Sequence, residues 1–242
     1  MLRANGGVSG YMVIAMPKIA MPKILMIVTG HARIDGEHPT GLWLEEYSIP
    51  WHAFRHAGFD VVTVTPHGGN APVDPRSLEG THPRDPARDE LKETKTLREA
   101  GDAMDYDAVF IPGGHGTMFD LATFAPLKTL LSEFDAQGKI IAAVCHGPAA
   151  FVDAIRTGEA ETLVAGKTIT CFTDDEERAV KLDMLMPFLL ESKLRQQGAK
   201  VVIAANFTDH IEVDGTWITG QNPQSSGSAA KAVIEALKTR AR

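Results

Sequence analysis

The stretch Ile140-Ile141-Ala142-Ala143-Val144-Cys145-His146-Gly147-Pro148 decides the fold. Five apolar residues in unbroken succession, too few for a helix, read as a strand buried on both faces, the pattern of a parallel sheet. The run stops on a cysteine, and the spacing after it predicts a helix over 147–155. A strand that turns sharply into a helix is a nucleophile elbow, which exposes a reactive side chain above the sheet. Open α/β sheets bind ligands at that carboxyl edge. A helix N-terminus behind Cys145 would favour thiolate over thiol. A free cysteine is otherwise a small buried hydrophobe, and the neighbours decide between the two. His146 puts an imidazole beside the thiol, and Gly147 lets backbone approach closely.

Outward from this run the same grammar repeats. Strands are expected over 24–29, 60–65, 108–111, 168–170 and 201–204. Helices are expected over 42–56, 91–100, 127–137, 187–197 and 226–239, the one at 91–100 charged and exposed. Pro50 should kink the helix at 42–56 or start a second one. Asp214-Gly215 between two β-capable runs is a hairpin signal. Residues 66–88, rich in Gly, Pro, Asp and His, read as a long surface loop, a feature usually functional or flexible. Strands alternating with helices give a mostly parallel sheet covered on both faces. No linker divides the pattern, so 22–242 reads as a single α/β domain. Ala15-Met16-Pro17-Lys18-Ile19 repeats at once as Ala20-Met21-Pro22-Lys23-Ile24, and residues 1–21 read as an extension outside that domain.

Composition narrows the function. The chain has 242 residues, 44% hydrophobic and 23% charged, with a net charge of −7 that argues against nucleic acid or an anionic membrane as partner. No apolar run is long enough to span a bilayer, and none near the N-terminus resembles a signal segment. Two cysteines, Cys145 and Cys171, suggest reduced thiols in the cytoplasm rather than a disulfide framework. His52 and His56 have the i, i+4 spacing of a metal pair, but no third ligand accompanies them. No cofactor motif is present: the glycine-rich run at 112–116 is not followed by the Gly-Lys-Ser/Thr of a phosphate loop.

That run, Pro112-Gly113-Gly114-His115-Gly116, also ends a strand. Its glycines leave backbone N–H groups unshielded, as an oxyanion hole requires, so Gly113, Gly114 and His115 are candidate oxyanion or substrate contacts. Ile111-Pro112-Gly113-Gly114-His115-Gly116, Ala142-Ala143-Val144-Cys145-His146-Gly147-Pro148 and Thr219-Gly220-Gln221-Asn222-Pro223 together resemble the ThiJ/PfpI superfamily, which is similar to class I glutamine amidotransferases. Thr40-Gly41-Leu42-Trp43-Leu44-Glu45-Glu46 and Pro187-Phe188-Leu189-Leu190-Glu191 resemble its chaperone-like, glutathione-independent glyoxalase branch.

The resemblance implies a flavodoxin-like three-layer sandwich and a homodimer. It implies a glyoxalase III-type lyase acting on a small 2-oxoaldehyde such as methylglyoxal, with a related protein-deglycating activity. It places the nucleophile at Cys145, the histidine at His146 and the pocket glutamate at Glu46, four residues before Pro50. The acid that orients the histidine falls in Thr173-Asp174-Asp175-Glu176-Glu177, and counting along the motif selects Glu177 over Asp174 and Glu176. Cys171 stands where the superfamily usually has glycine. Two rival functions remain: a cysteine peptidase or amidase using the same residues for acyl transfer, and a stress chaperone or redox sensor with Cys145 oxidised to sulfinic acid.

Overall fold

Strand β1 (Lys23–Ile27) shows why the apolar runs are continuous. Leu25 and Ile27 enter one hydrophobic core, and Ile24 and Met26 enter another on the opposite face. The computed structural model describes residues 21–80 and 84–240, so residues 1–20 of the expected extension lie outside it.

The elements follow as α1 (Leu44–His56), β2 (Asp60–Thr65), α2 (Pro86–Asp89), β3 (Lys95–Thr96), β4 (Ala108–Ile111), α3 (Ala125–Ala136), β5 (Ile140–Val144), β6 (Thr168–Ile169), α4 (Asp174–Ala179), α5 (Leu190–Gln196), β7 (Lys200–Val201), β8 (Ile211–Asp214), β9 (Trp217–Gly220) and α6 (Ser226–Arg240). Seven strands form one sheet in the order β3-β2-β1-β4-β5-β9-β8, and β6 pairs with β7 alone. Pairing in the large sheet is parallel except in the β8–β9 hairpin. Helices α1 and α6 cover one face through Tyr47, Phe54, Ala230 and Val233. Helix α3 covers the other through Leu127, Leu131 and Phe134. The sheet thus lies between two helical layers, as expected. β1 pairs with both β2 and β4, so the strand order reverses there, and a crevice opens at the carboxyl ends.

Several expectations change. Pro50 neither splits nor restarts α1, which runs from Leu44 to His56. Its missing N–H leaves the Glu46 carbonyl without the usual helical partner. The charged helix expected over 91–100 is not formed. Thr96 and Glu99 close a capping box at Thr96, so Lys95–Thr96 pairs with β2 and only a 3₁₀ turn follows at Leu97–Ala100. The side-chain cap starts a new element where the composition alone would run on through. The helix expected over 147–155 is a 3₁₀ turn at Gly147–Phe151, ended by extended Val152. The strand expected over 201–204 stops at Val201, and Val202 and Ile203 are exposed. The helix expected over 187–197 begins at Leu190, because Leu189 is still extended.

Candidate active site

Cys145 caps β5 in the left-handed region, with φ of 57°. Only a strongly determined position holds a side-chain-bearing residue there. Its N–H donates to the Gly220 carbonyl at 2.9 Å, and its own carbonyl accepts from Phe172 N at 2.9 Å, so both sides of the elbow are pinned. Gly147 makes the turn possible: a Cβ there would lie 2.2 Å from the Ile111 carbonyl oxygen.

Four elements bring the reacting groups together. Helix α1 supplies Glu46, fully buried and facing the sheet. The turn after β4 supplies Gly113, whose N–H donates to Glu46 Oε2 at 2.7 Å. The elbow supplies His146, with Nδ1 3.2 Å from Cys145 Sγ. The start of α4 supplies Glu177, whose Oε2 is 2.7 Å from His146 Nε2. Phe172 stacks on the His146 ring, centroids 4.4 Å apart. Cys145, His146, Glu46 and Glu177 therefore form one cluster, as the motifs implied, and Cys171 upstream does not displace Glu177. Glu176, weighed beside it, is instead a buried clasp: it accepts from the backbone N–H groups of Thr173 and Phe207 and the side-chain amides of Gln221 and Asn222. Asp174 accepts from Ser192 on α5.

The electrostatics run against one expectation. Burial, then the neighbouring Glu46 charge, pushes the Cys145 thiol well above its ordinary range. The turn behind it is too short to reverse that, although the His146 backbone N–H pulls the other way. The thiol is therefore the resting form and must pass its proton to a neighbour to react. Burial also raises Glu46, to about 8, opposed by the Cys145 thiol and the Gly113 N–H. Glu46 Oε1 is buried and has no hydrogen-bond partner. Thiol and carboxyl thus titrate as a pair. Burial would raise Glu177 as well, but the two imidazoles beside it outweigh that and hold it ionised, well below the usual carboxylate range.

The oxyanion assignments divide. Gly114 lines the cavity and keeps its expected place. Gly113 does not, because its N–H is committed to Glu46. His115 lines the cavity but is buried, with Nε2 2.8 Å from Glu177 Oε1. His115, His146 and Glu177 bring ligand atoms within 4.8 Å, a composition that could hold a metal ion. Yet each Nε2 already faces its own oxygen of Glu177, which is the geometry of a hydrogen-bonded chain. His52 turns to Asp85, 2.7 Å away, instead of pairing with His56. Cys145 and Cys171 are both free thiols.

The cavity above Cys145 measures about 380 Å³ and is walled by Trp43, Phe172, Val180, Phe207 and Pro223. A larger cavity of about 680 Å³ lies between Pro66, Leu97 and Phe124, away from this cluster. Sequence reasoning missed Arg76 and Asp74, from the long loop after β2. Arg76 lines the cavity and clamps buried Asp74 through Nε and Nη2 at 2.9 and 2.6 Å. The length of that loop was the signal available. Among the described residues no helix is long and apolar enough to cross a membrane.

Comparison with known proteins places this geometry. The chain is 32% identical over 238 residues to the glutathione-independent glyoxalase HSP31 of Saccharomyces cerevisiae, covering 91% of this chain and all of that one. The structure of glyoxalase III from Candida albicans superposes with a TM-score of 0.81 at 27% identity, covering 89% of this chain and 97% of that one. The Rapid Encystment Protein 24 kDa of Francisella tularensis gives 0.84 at 31%, covering 90% and 99%. The DJ-1/PfpI family model matches residues 40–236, most of the chain and every residue of the cluster above. The chain belongs to the DJ-1/PfpI family.

Proposed function

We propose that this protein is a glutathione-independent glyoxalase, converting methylglyoxal and water to lactate. The observation that carries the reading is the buried Glu46 carboxyl beside the Cys145 thiol. Acyl transfer by a cysteine–histidine–acid set has no use for a second buried acid, whereas moving a hydrogen between adjacent carbons needs one. Relatives named for this activity support it, as does a cavity near the small end of ligand pockets.

The steps follow from the positions. Cys145 Sγ attacks the aldehyde carbon as its proton passes to His146 Nδ1, and the new oxyanion lies against the Gly114 and His146 backbone N–H groups. His146 Nδ1 hands that proton back to the oxyanion, giving a neutral hemithioacetal. The Glu46 carboxylate then takes the C1 hydrogen, the electron pair left behind becomes the C1–C2 double bond, and the negative charge moves to the C2 oxygen. His146, neutral again, carries the C1 hydroxyl proton to the C2 oxygen. As the C1 carbonyl forms, Glu46 returns its proton to C2, leaving a lactyl thioester. Water, activated by His146, adds to that carbonyl, and the C–S bond breaks with the proton returning to sulfur. Glu177 orients the imidazole throughout.

Purified protein is incubated with methylglyoxal, without thiol cofactor, beside Cys145→Ala and Glu46→Gln. Lactate from the wild type alone is expected. A folded wild type yielding none overturns the reading, and casein or peptide cleavage lost in Cys145→Ala but kept in Glu46→Gln would favour a peptidase. The reading includes a homodimer: a species near 26.1 kDa in sedimentation velocity at working concentration would count against it.

A further inference from the structure

Glu177 serves two imidazoles, and the reaction described uses only one. The second, His115, sits at the end of a hydrogen-bonded arm that starts in the loop after β2. Asp74 is fully buried and accepts from the Thr40 hydroxyl at 2.9 Å, from Arg76 N at 2.9 Å and from the Arg76 guanidinium at 2.9 and 2.6 Å. The same Nη2 lies 3.2 Å from His115 Nδ1. His115 Nε2 lies 2.8 Å from Glu177 Oε1, and Glu177 Oε2 lies 2.7 Å from His146 Nε2. The chain from Asp74 to the Cys145 thiol is continuous.

Its proton positions follow from the groups themselves. A guanidinium has only donors and keeps its charge at any working pH, so Nδ1 of His115 must accept. The His115 proton therefore sits on Nε2 and is donated to Glu177. An ionised carboxylate only accepts, so His146 also carries its proton on Nε2, which leaves Nδ1 open toward the thiol. A mobile proton arriving at this cluster has two imidazoles to choose from, with ring centroids 4.1 Å apart. Were it to settle on His115, Glu177 would pair with the wrong ring and the Cys145 proton would have nowhere to go.

We propose that Arg76 and His115 are positioning residues: Arg76 blocks Nδ1 of His115, so the working proton is confined to His146. The charged groups facing His115 are Arg76, backed by Asp74, from the loop, Glu177 from α4, and His146 with Cys145 from the elbow; the Phe172 ring is uncharged. Burial first, then the charges of His146 and Arg76, outweighs the pull of Glu177 and lowers His115 to about 4. The arm rests on the same site as the glyoxalase reading but not on its substrate.

The test follows the ring itself. Long-range proton–nitrogen spectra of the full-length protein are recorded from about pH 5 to 8, where an ordinary imidazole titrates, with His115→Gln assigning the resonance. Wild-type His115 stays neutral with its proton on Nε2. In Arg76→Met the ring titrates within that range, and kcat for methylglyoxal falls at least about tenfold with KM within about twofold. Arg76→Lys, which keeps the charge but not the fork, falls between. Should Asp74 stranded in Arg76→Met unfold the protein, Asp74→Asn with Arg76→Met removes both charges together. Identical ring titration with and without the arginine overturns the proposal. So does a rise in KM at constant kcat, which would make Arg76 a substrate contact. A locked ring in a protein that turns over no methylglyoxal would sink the glyoxalase reading and leave the arm standing.

Discussion

Glu46 works against the stability of the fold. Its carboxyl titrates near 8 when buried, against a reference value of 4.5. Below about pH 4.5 both folded and unfolded chains hold the proton, and the group is neutral to stability. Between 4.5 and 8 the unfolded chain releases it and the folded chain does not, so the native state loses ground as pH rises. At about 1.4 kcal/mol per unit the penalty above pH 8 is of order a few kcal/mol. Glu46→Gln keeps an acceptor for the Gly113 N–H and has no charge to bury. It should therefore melt higher than wild type at pH 8, with the difference shrinking to nothing near pH 4, while losing turnover by about 100-fold or more. Equal melting at both pH values would place the carboxylate in a better-solvated setting than its burial implies. In the wild type, turnover should rise with pH through about 8 as the base form appears. Gly147→Ala drives a methyl group into the Ile111 carbonyl. It should cost about 1–3 kcal/mol in denaturant melts and slow Cys145 alkylation.

Part of the cluster around Cys145 was legible because chemistry and punctuation coincide. A cysteine ending an apolar strand and a glycine-rich turn ending another announced themselves locally, whereas Glu46 and Glu177 were placed by the family resemblance. Arg76 did not. A lone arginine in a proline-rich loop looks solvated, and only folding brings it over His115. The thiol's proton affinity was misread for a related reason: the motif gives the elbow, but the length of the turn behind it and the closeness of Glu46 are three-dimensional facts.

At the scale of elements, the strands buried on both faces were read well, because continuous apolar runs admit few alternatives. Short elements were not. Whether 91–100 is helical turns on one capping box at Thr96 and Glu99, and β7 ends at Val201 although Val202 N still donates to the Ile169 carbonyl. Helix α4 illustrates how much a short element can hold. Its Glu176 carboxylate ties the Thr173 cap, the Phe207 loop and the Gln221-Asn222 turn to one point. Glu176→Gln turns an amide toward donors that need an acceptor. A loss of about 2–4 kcal/mol is expected, with faster hydrogen exchange over 202–210 and a raised KM, since Phe207 walls the cavity. Loss of stability without faster exchange in that segment would show that the clasp is not what holds the loop.

At the scale of the whole molecule, the order β3-β2-β1-β4-β5 puts the ends of β4 and β5 side by side, and the turns after them meet over one crevice. A mostly parallel sheet covered on both faces could be anticipated from alternating strands and helices, but the strand order, including the β8–β9 hairpin beside β5, required the pairing itself. The net charge of −7 exerts no long-range pull on an uncharged aldehyde. Turnover of methylglyoxal at limiting concentration should hardly change between about 0.05 and 0.5 M salt. A steep fall would point to a cationic substrate instead, and a steep rise to an anionic one.

The cavity wall carries a last consequence. It is mainly aromatic and aliphatic, has Glu45 in its lining and Glu46 just beneath, and its cation Arg76 is already matched by Asp74. An uncharged oxoaldehyde enters such a space freely, whereas the acid formed from it ionises in a place that offers anions no welcome. The chemistry thus makes its own ejector: turnover should be followed by spontaneous departure, and added lactate should be a feeble inhibitor even far above the concentration of substrate.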